Sequence, residues 1–493
     1  MKRNDPLWYT RPTRQSDIAI FLICLTTIKS IVRNWWPLLL VIVFRSDRIP
    51  VETGLQLTIA TGSAIVFFSV WSYLKFYFYV TEKKLHVQRG IFRITHLEIP
   101  FDRVQSIAFE QGLIHRVFGV VRLRVDTAGS AKEEFEFTAL GKEKAHNLRE
   151  YILSRRDHQD LNKKKQAPRL ILTLDALDLI KIGVSQNHLR TAGIILAFIL
   201  SLRDRIKDFI GSEYLVQFDN LVESVYNNAL ALVPILFIVL LVVSFVGTLV
   251  LTFFRYYDLK LWSSSQGFSV KSGLVNRNEM SILKQKVQMI RWSSNPLKKL
   301  FNIVSLRFYQ ASGSGNFSSS TISVPGCSIP VFNGIQKTCF KDKHMNDLKE
   351  NRVEIDLFYR RALFTGVLPA VLMVGCLGWW LGDVTWIVIG VLWLGLVVIY
   401  QWYLRQNWRY GINDFLLYTE QGVIEMVYKM SYLFKVQSVS IRQSPYQRRK
   451  KLSTLLIFTA SGVIRIPYIR LDESLRIKNK ILYIVENSQK AWM

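Results

Sequence analysis

The chain has 493 residues, half of them apolar, and carries 64 Lys and Arg against 37 Asp and Glu for a net charge of +27. With a mean hydropathy of +0.17, that composition speaks against a soluble globular protein and leaves room for three or more domains. Cys24, Cys327, Cys339 and Cys376 stand far apart without C-x-x-C spacing, a pattern of neither a disulfide framework nor a structural zinc site.

A basic start (Lys2, Arg3, Arg11, Arg14) leads into an amphipathic stretch, 17–33, that contains Lys29 and Arg33, so no cleavable signal peptide is expected. A short apolar run at 34–44 and a long one at 55–80 follow, then a polar module at 81–156 and a linker at 157–168. The pattern recurs with amphipathic 169–187, short apolar 188–202, long apolar 229–254 and a polar module at 255–345. It recurs again with apolar 361–381 and 384–403, in a hairpin at 352–404, and a last module at 405–493. A bilayer crossing takes about 20 apolar residues. Four segments meet that length, and the two short ones reach it with help from the amphipathic stretches before them, which lie at or enter the interface. The predicted architecture is an α-helical membrane protein with about six spans in three hairpins (15–80, 169–254 and 352–404), carrying three β-rich modules.

An even number of spans before each module puts all three on one side. The connections at 45–54, 203–228 and around Gly382-Asp383 are neutral or acidic, whereas 404–493 holds 15 Lys and Arg against six Asp and Glu. Basic residues near span ends favour the cytoplasm, so the modules and both termini are expected to be cytoplasmic in a multi-pass protein of the cell membrane. Trp35, Trp36, Trp379, Trp380 and Trp386 then fall at the outer ends, as an aromatic belt or as contacts for a membrane-active peptide.

The modules share a register. Gly90, Gly273 and Gly422 are each followed fourteen residues later by Val-Gln: Val104-Gln105, Val287-Gln288 and Val436-Gln437. Ala128, Ala311 and Ala460 each fall 24 residues after the valine. Residues 87–128 and 270–311 agree at 11 of 42 positions, against about two or three by chance, so the repeat is real. In copy one the runs 78–88, 91–99, 103–109, 120–127 and 133–139 are rich in Val, Ile, Phe and Tyr and read as antiparallel strands. Gly90 sits at a joint where φ > 0 suits only glycine. A helix closes the module through Ala145, Leu148 and Ile152; copy three closes likewise through Leu471, Leu475 and Leu482, while copy two gives no clean helix.

This order of strand, Gly, strand, R-V-Q-S and a strand ending in T-A-G resembles the bacterial pleckstrin-homology-like (PH-like) domain of YdbS/YdbT-type membrane proteins. Gly90, Ile99-Pro100, Arg103-Val104-Gln105-Ser106, Leu123, Val125 and Thr127-Ala128-Gly129 carry the resemblance, with Lys435-Val436-Gln437-Ser438 in copy three. Copy two departs at Met289 and at Gln310-Ala311-Ser312. Three modules with hydrophobic pairs match the larger, YdbT-like type. The resemblance implies a partly open β-barrel or sandwich capped by a helix. It also implies a non-enzymatic accessory in resistance to, or export of, a membrane-active peptide, and a smaller one-module membrane partner of the same family.

The Arg/Lys-Val-Gln run reads as a half-buried strand with a core valine, or as a ligand site. Gln105, Gln288 and Gln437 fit an irregular strand whose backbone they satisfy. Arg116, Lys298, Lys299, Arg448, Arg449, Lys450 and Lys451 occupy equivalent loops. They are candidates for anionic lipid headgroups, or solvated charge set by topology. No nucleic-acid motif appears, 312–323 lacks the Lys-Ser/Thr of a phosphate loop, and the scattered His offer no metal spacing. No cofactor, metal or catalytic residue is expected.

Overall fold

The computed structural model describes residues 8–44, 51–91, 93–127, 135–156, 168–206, 229–264, 267–310, 321–340, 345, 348–378 and 385–488. The outer connections expected at 45–54, 203–228 and 382–383, the linker, Ala128 and Ala311, and most of 312–323 lie wholly or largely outside them.

Module 1 is fed by α1 (Ile18–Phe44) and α2 (Val51–Leu74). The amphipathic stretch 17–33 and the apolar run 34–44 form one continuous helix. β1 (Tyr77–Val80), β2 (Lys84–Arg89) and β3 (Thr95–Pro100) make an antiparallel meander. The run expected as a single strand at 78–88 is therefore a hairpin. The polar Thr81-Glu82-Lys83 breaks it, and the Thr81 amide donates to Lys84 O at 2.9 Å. A second meander follows: β4 (Val104–Gln111), the short α3 (Leu113–Val117), β5 (Val120–Thr127) and β6 (Phe135–Gly141), closed by α4 (Lys142–Arg156). The two meanders enclose a core in which Phe78, Leu123, Phe137, Leu148 and Ile152 are fully buried.

Module 2 repeats the plan. β7 (Arg169–Thr173) and α5 (Ala176–Val184) precede α6 (His188–Ile206) and α7 (Ala229–Tyr256). The stretch 169–187 is thus a strand and a short helix, not one interfacial helix, because Asp175 caps a new helix two residues after the strand ends. β8 (Lys260–Ser263), β9 (Gly267–Ser272) and β10 (Arg277–Leu283) form the first meander. β11 (Val287–Ser294), α8 (Pro296–Leu300), β12 (Ile303–Gln310) and β13 (Thr321–Ser328) form the second. A helix does close this copy, α9 (Ile329–Cys339), contrary to the sequence reading. Pro330 and Gly334 lower its propensity, but proline is tolerated at the first helical turn and Phe332 and Ile335 anchor the helix in the core.

In module 3, β14 (Glu350–Arg352) precedes α10, a helix of Asp356–Ala362 and Leu368–Leu372 interleaved with the π-helical segments Leu363–Val367 and Met373–Gly378. Then come α11 (Thr385–Gln406), β15 (Arg409–Ile412), β16 (Leu416–Gln421) and β17 (Met426–Tyr432). β18 (Val436–Arg442), α12 (Pro445–Arg449), β19 (Leu452–Thr459), β20 (Gly462–Arg470) and α13 (Leu471–Glu486) complete the chain.

Each hairpin leaves and returns beside the same sheet. β7 pairs with β8, β14 pairs with β15, and Thr13 bridges Phe78 of β1. Among the described residues, three helices are long and apolar enough to cross a membrane: Pro234–Tyr256, Asp356–Gly375 and Thr385–Gln406. Ile18–Ile31, Ile59–Leu74 and His188–Ile199 are shorter apolar helices. By length and composition, three of the six expected spans are thus shown among the described residues.

The modules are not independent beads. Two seven-stranded sheets run β6-β5-β4-β10-β9-β8-β7 and β13-β12-β11-β17-β16-β15-β14. β4 of module 1 thus pairs with β10 of module 2, and β11 of module 2 with β17 of module 3. Each module is an open two-sheet sandwich; module 2 shares both of its sheets with its neighbours, while β1-β2-β3 of module 1 and β18-β19-β20 of module 3 are three-stranded sheets of their own. Backbone ladders of this kind hold all three modules on one side of any bilayer the hairpins cross.

Candidate functional site

The repeated glycines stand at the joint between the second and third strand of each first meander. Their φ values are +123° at Gly90, +111° at Gly273 and +137° at Gly422. A Cβ on any of them would collide with the carbonyl oxygen three residues on, of Arg93, Asn276 or Glu425. The turn therefore demands glycine.

The Val-Gln pair follows a 3-10 turn and opens the first strand of each second meander. Val104, Val287 and Val436 are buried in the module cores. In all three copies the next residue is a β-bulge, since the register with the following strand slips between Val104 and Ser106, Val287 and Met289, and Val436 and Ser438. The glutamine is the extra residue, which bends the strand and raises its twist. Gln288 is buried at the inter-module joint and Gln437 is exposed. Ala460 lies in the turn between β19 and β20.

The seven basic candidates sit on or beside α3, α8 and α12, and the structure divides them. His115, Lys298 and Gln447 hold one buried column. His115 contacts Thr138 O at 3.2 Å, and burial holds its pKa below the ordinary value. Lys298 is 4% exposed and lies 4.0 Å from Glu425 of module 3. Burial pushes its pKa down and Glu425 partly offsets that, so Lys298 is a joint residue and not a headgroup ligand. Arg116 is exposed but donates to Leu274 O of module 2 at 2.9 Å. Lys299, Arg448, Arg449, Lys450 and Lys451 are exposed.

Four of those five are consecutive, and they stand beside a membrane helix. Ser444 and Gln447 form a capping box at the start of α12. The Tyr446 hydroxyl donates to Asp356 Oδ1 at 2.6 Å, and Arg360 donates to Ser444 Oγ and to the Tyr468 hydroxyl, both at 2.9 Å. These bonds fix the basic tip at the first turn of α10, where a phospholipid surface would begin. In modules 1 and 2 the tips expose apolar residues beside Arg116 and Lys299: Val117 is 80% and Leu300 72% exposed. Tip and hairpin meet there too, through Phe118 and Phe21, whose rings are 6.2 Å apart.

The joints between modules carry chemistry that the sequence reading missed. At the first, Arg149 of α4 pairs with Glu279 at 2.7 Å and donates to the Ser281 hydroxyl. At the second, Ser431 Oγ donates to Gln288 O at 2.7 Å, and Trp292 stacks on Tyr428 at 5.2 Å. Lys435 is buried at its centre. Its amine donates to Gln285 O at 2.7 Å and to Val287 O, and burial pushes its pKa down to about 8. Lys435 belongs to the Lys-Val-Gln run, and its partners lie about 150 residues away in sequence, so no local signal marks it.

These repeated open sandwiches are matched by the family model of the bacterial PH domain at residues 20–156, 213–343 and 363–484. The chain belongs to the bacterial PH domain family. Each match takes in a hairpin helix together with the β-module behind it. The chain is also similar to the UPF0699 transmembrane protein YdbT of Bacillus subtilis, 20% identical over 322 residues. That similarity spans 62% of this chain and 64% of the relative's length. This is accordingly a membrane protein with three PH-like domains, similar to YdbT.

Proposed function

We propose that the chain is a non-enzymatic membrane scaffold that holds three hairpins, six spans in all, on one rigid cytoplasmic sheet assembly. The observation that supports this reading is the pair of seven-stranded sheets, one joining modules 1 and 2 and the other modules 2 and 3. Sheets shared across modules fix the spacing of the hairpins, which a string of independent binding modules would leave free. Its setting is resistance to, or export of, a membrane-active peptide such as a bacteriocin. That role rests on the family resemblance, and apolar tips and half-exposed aromatics near the bilayer suit such a partner. Sensitivity of a deletion strain to a panel of pore-forming peptides tests it, and unchanged sensitivity across the panel counts against it. A C-terminal reporter tests the orientation, since an external signal contradicts it.

A second reading is favoured by the exposed run Arg448-Arg449-Lys450-Lys451 at the start of α10. It makes the chain an organiser of anionic lipid, at about 1 kcal/mol per basic residue near the surface. Native mass spectrometry of the full chain tests this by comparing retained phosphatidylglycerol in wild type and in a variant with all four changed to Gln. Equal retention removes the lipid reading and leaves the scaffold.

A further inference from the structure

We propose that the chain assembles head to tail with a second copy of itself, its β18 edge adding to β3 of the next copy. The two internal joints use one geometry. Val104, Val287 and Val436 set offsets of 183 and 149 residues between successive copies. At the first joint Ala108 faces Met280 and Phe109 faces Glu279. Shifted by those offsets, the pairs become Arg291 with Lys429 and Trp292 with Tyr428, and both are observed at the second joint. The same strands are therefore paired in the same register twice.

Among the described residues, one donor edge and one acceptor edge of this kind have no strand beside them. β18 pairs only with β19, and β3 only with β2. In β11, the partnered equivalent of β18, every residue but Arg291 is buried. In β18 only Val436 is. The Gln437 bulge does not block pairing, because β11 has the same bulge and pairs with β17 from Met289 onward. Neither strand has an internal Pro, since Pro100 is only the last residue of β3, and the closing helix α13 packs beside β18.

The register and the side chains both carry over to a third joint. It would set Ser440 against Leu97, Ile441 against His96 and Arg442 against Thr95. Ile441 takes the place of Phe109 and Trp292, which the internal joints bury. Arg448, the equivalent of Arg116, would reach Ile91 O as Arg116 reaches Leu274 O. On the closing helices, buried Leu148 and Ile152 of α4 match buried Ile477 and Ile481 of α13, so Lys478 takes the place of Arg149. Its target at the equivalent of Ser281 is Glu98, complementary in charge and paired within its own module with Lys84 at 2.7 Å, while His96 stands at the equivalent of Glu279. Repeating the step that relates modules 1, 2 and 3 also keeps the next hairpins on the same membrane face. Such a contact is heterologous, so copies can continue into rings or rows.

The test uses the full chain with its four native Cys replaced. Ile441→Cys and His96→Cys chains are mixed in liposomes and oxidised. Cα atoms of facing antiparallel residues are about 4.5–5.5 Å apart, which suits a disulfide. The expected result is a species of twice the chain mass that is strong with His96→Cys and weak with Thr95→Cys, one residue out of register. Lys478→Glu should lower its yield several-fold, and adding Glu98→Lys on the partner chain should restore it. A monomer with equal, background cross-linking at both positions overturns the proposal. So does capture of the Ile441→Cys edge, in intact cells, by a smaller polypeptide in place of a second copy.

Discussion

Lys435→Met should change how the stability of the whole chain depends on pH. In the native protein the Lys435 amine sits between two carbonyls of module 2, with burial holding it at about 8 against an ordinary 10.5. That difference corresponds to about 3 kcal/mol between the charged and neutral forms. Below about pH 8 the amine is protonated in both folded and unfolded chain, and the fold bears the full cost of the buried charge. Between about 8 and 10.5 the unfolded chain holds a proton that the native chain has lost, so stability rises with pH. A neutral amine still offers two N–H donors, so the bonds to Gln285 and Val287 persist. The assay is thermal unfolding of the purified chain in detergent from pH 7.5 to 10.5. Wild type should gain on Lys435→Met across that window by up to about 3 kcal/mol, a shift of several degrees in Tm. Parallel curves would refute the placement of Lys435 and with it the packing of the second joint.

Gly273→Ala should destabilise module 2 by about 1–3 kcal/mol through forced positive φ, with a further loss from the clash on Asn276 O; an unchanged melting curve would contradict the turn. Arg149→Ala removes the Glu279 ion pair and should raise protease sensitivity between modules 1 and 2, while Arg149→Lys keeps part of the protection. Lys298→Met replaces a buried amine whose one ion-pair partner among the described residues is the distant, half-exposed Glu425, and should leave stability within about 1 kcal/mol or improve it; a large loss would mean that Lys298 carries more of the second joint than its geometry suggests.

Much of the module was legible in the sequence because its signals are local. The glycine joints, the core valines and the closing helix of copy one with Leu148 inward follow from turn chemistry and from periods of two and 3.6 residues, whereas in copy three Ile477 and Ile481 face the core in place of the expected Leu471, Leu475 and Leu482, and Leu475 is exposed. The closing helix of copy two was hidden because Pro330 and Gly334 mask a pattern that Phe332 and Ile335 still hold by burial. The strand β7 was hidden because five residues before a capped helix read as part of that helix. The pairing of β4 with β10 and of β11 with β17 leaves no local trace, since any half-buried strand alternates alike on a free edge or a paired one. For the same reason Lys298 read as a surface charge. It is buried in the assembled fold, 4.0 Å from Glu425 of module 3.

Whether the three modules share continuous sheets is the claim on which the scaffold reading stands. The most direct measurement is disulfide formation within single chains in native membranes, using Ala108→Cys with Met280→Cys and Arg291→Cys with Lys429→Cys. Both pairs should close rapidly and without loss of fold, while partners moved one residue out of register should not. Failure of both in-register pairs in a folded chain would show the modules to be separate domains and would contradict the account.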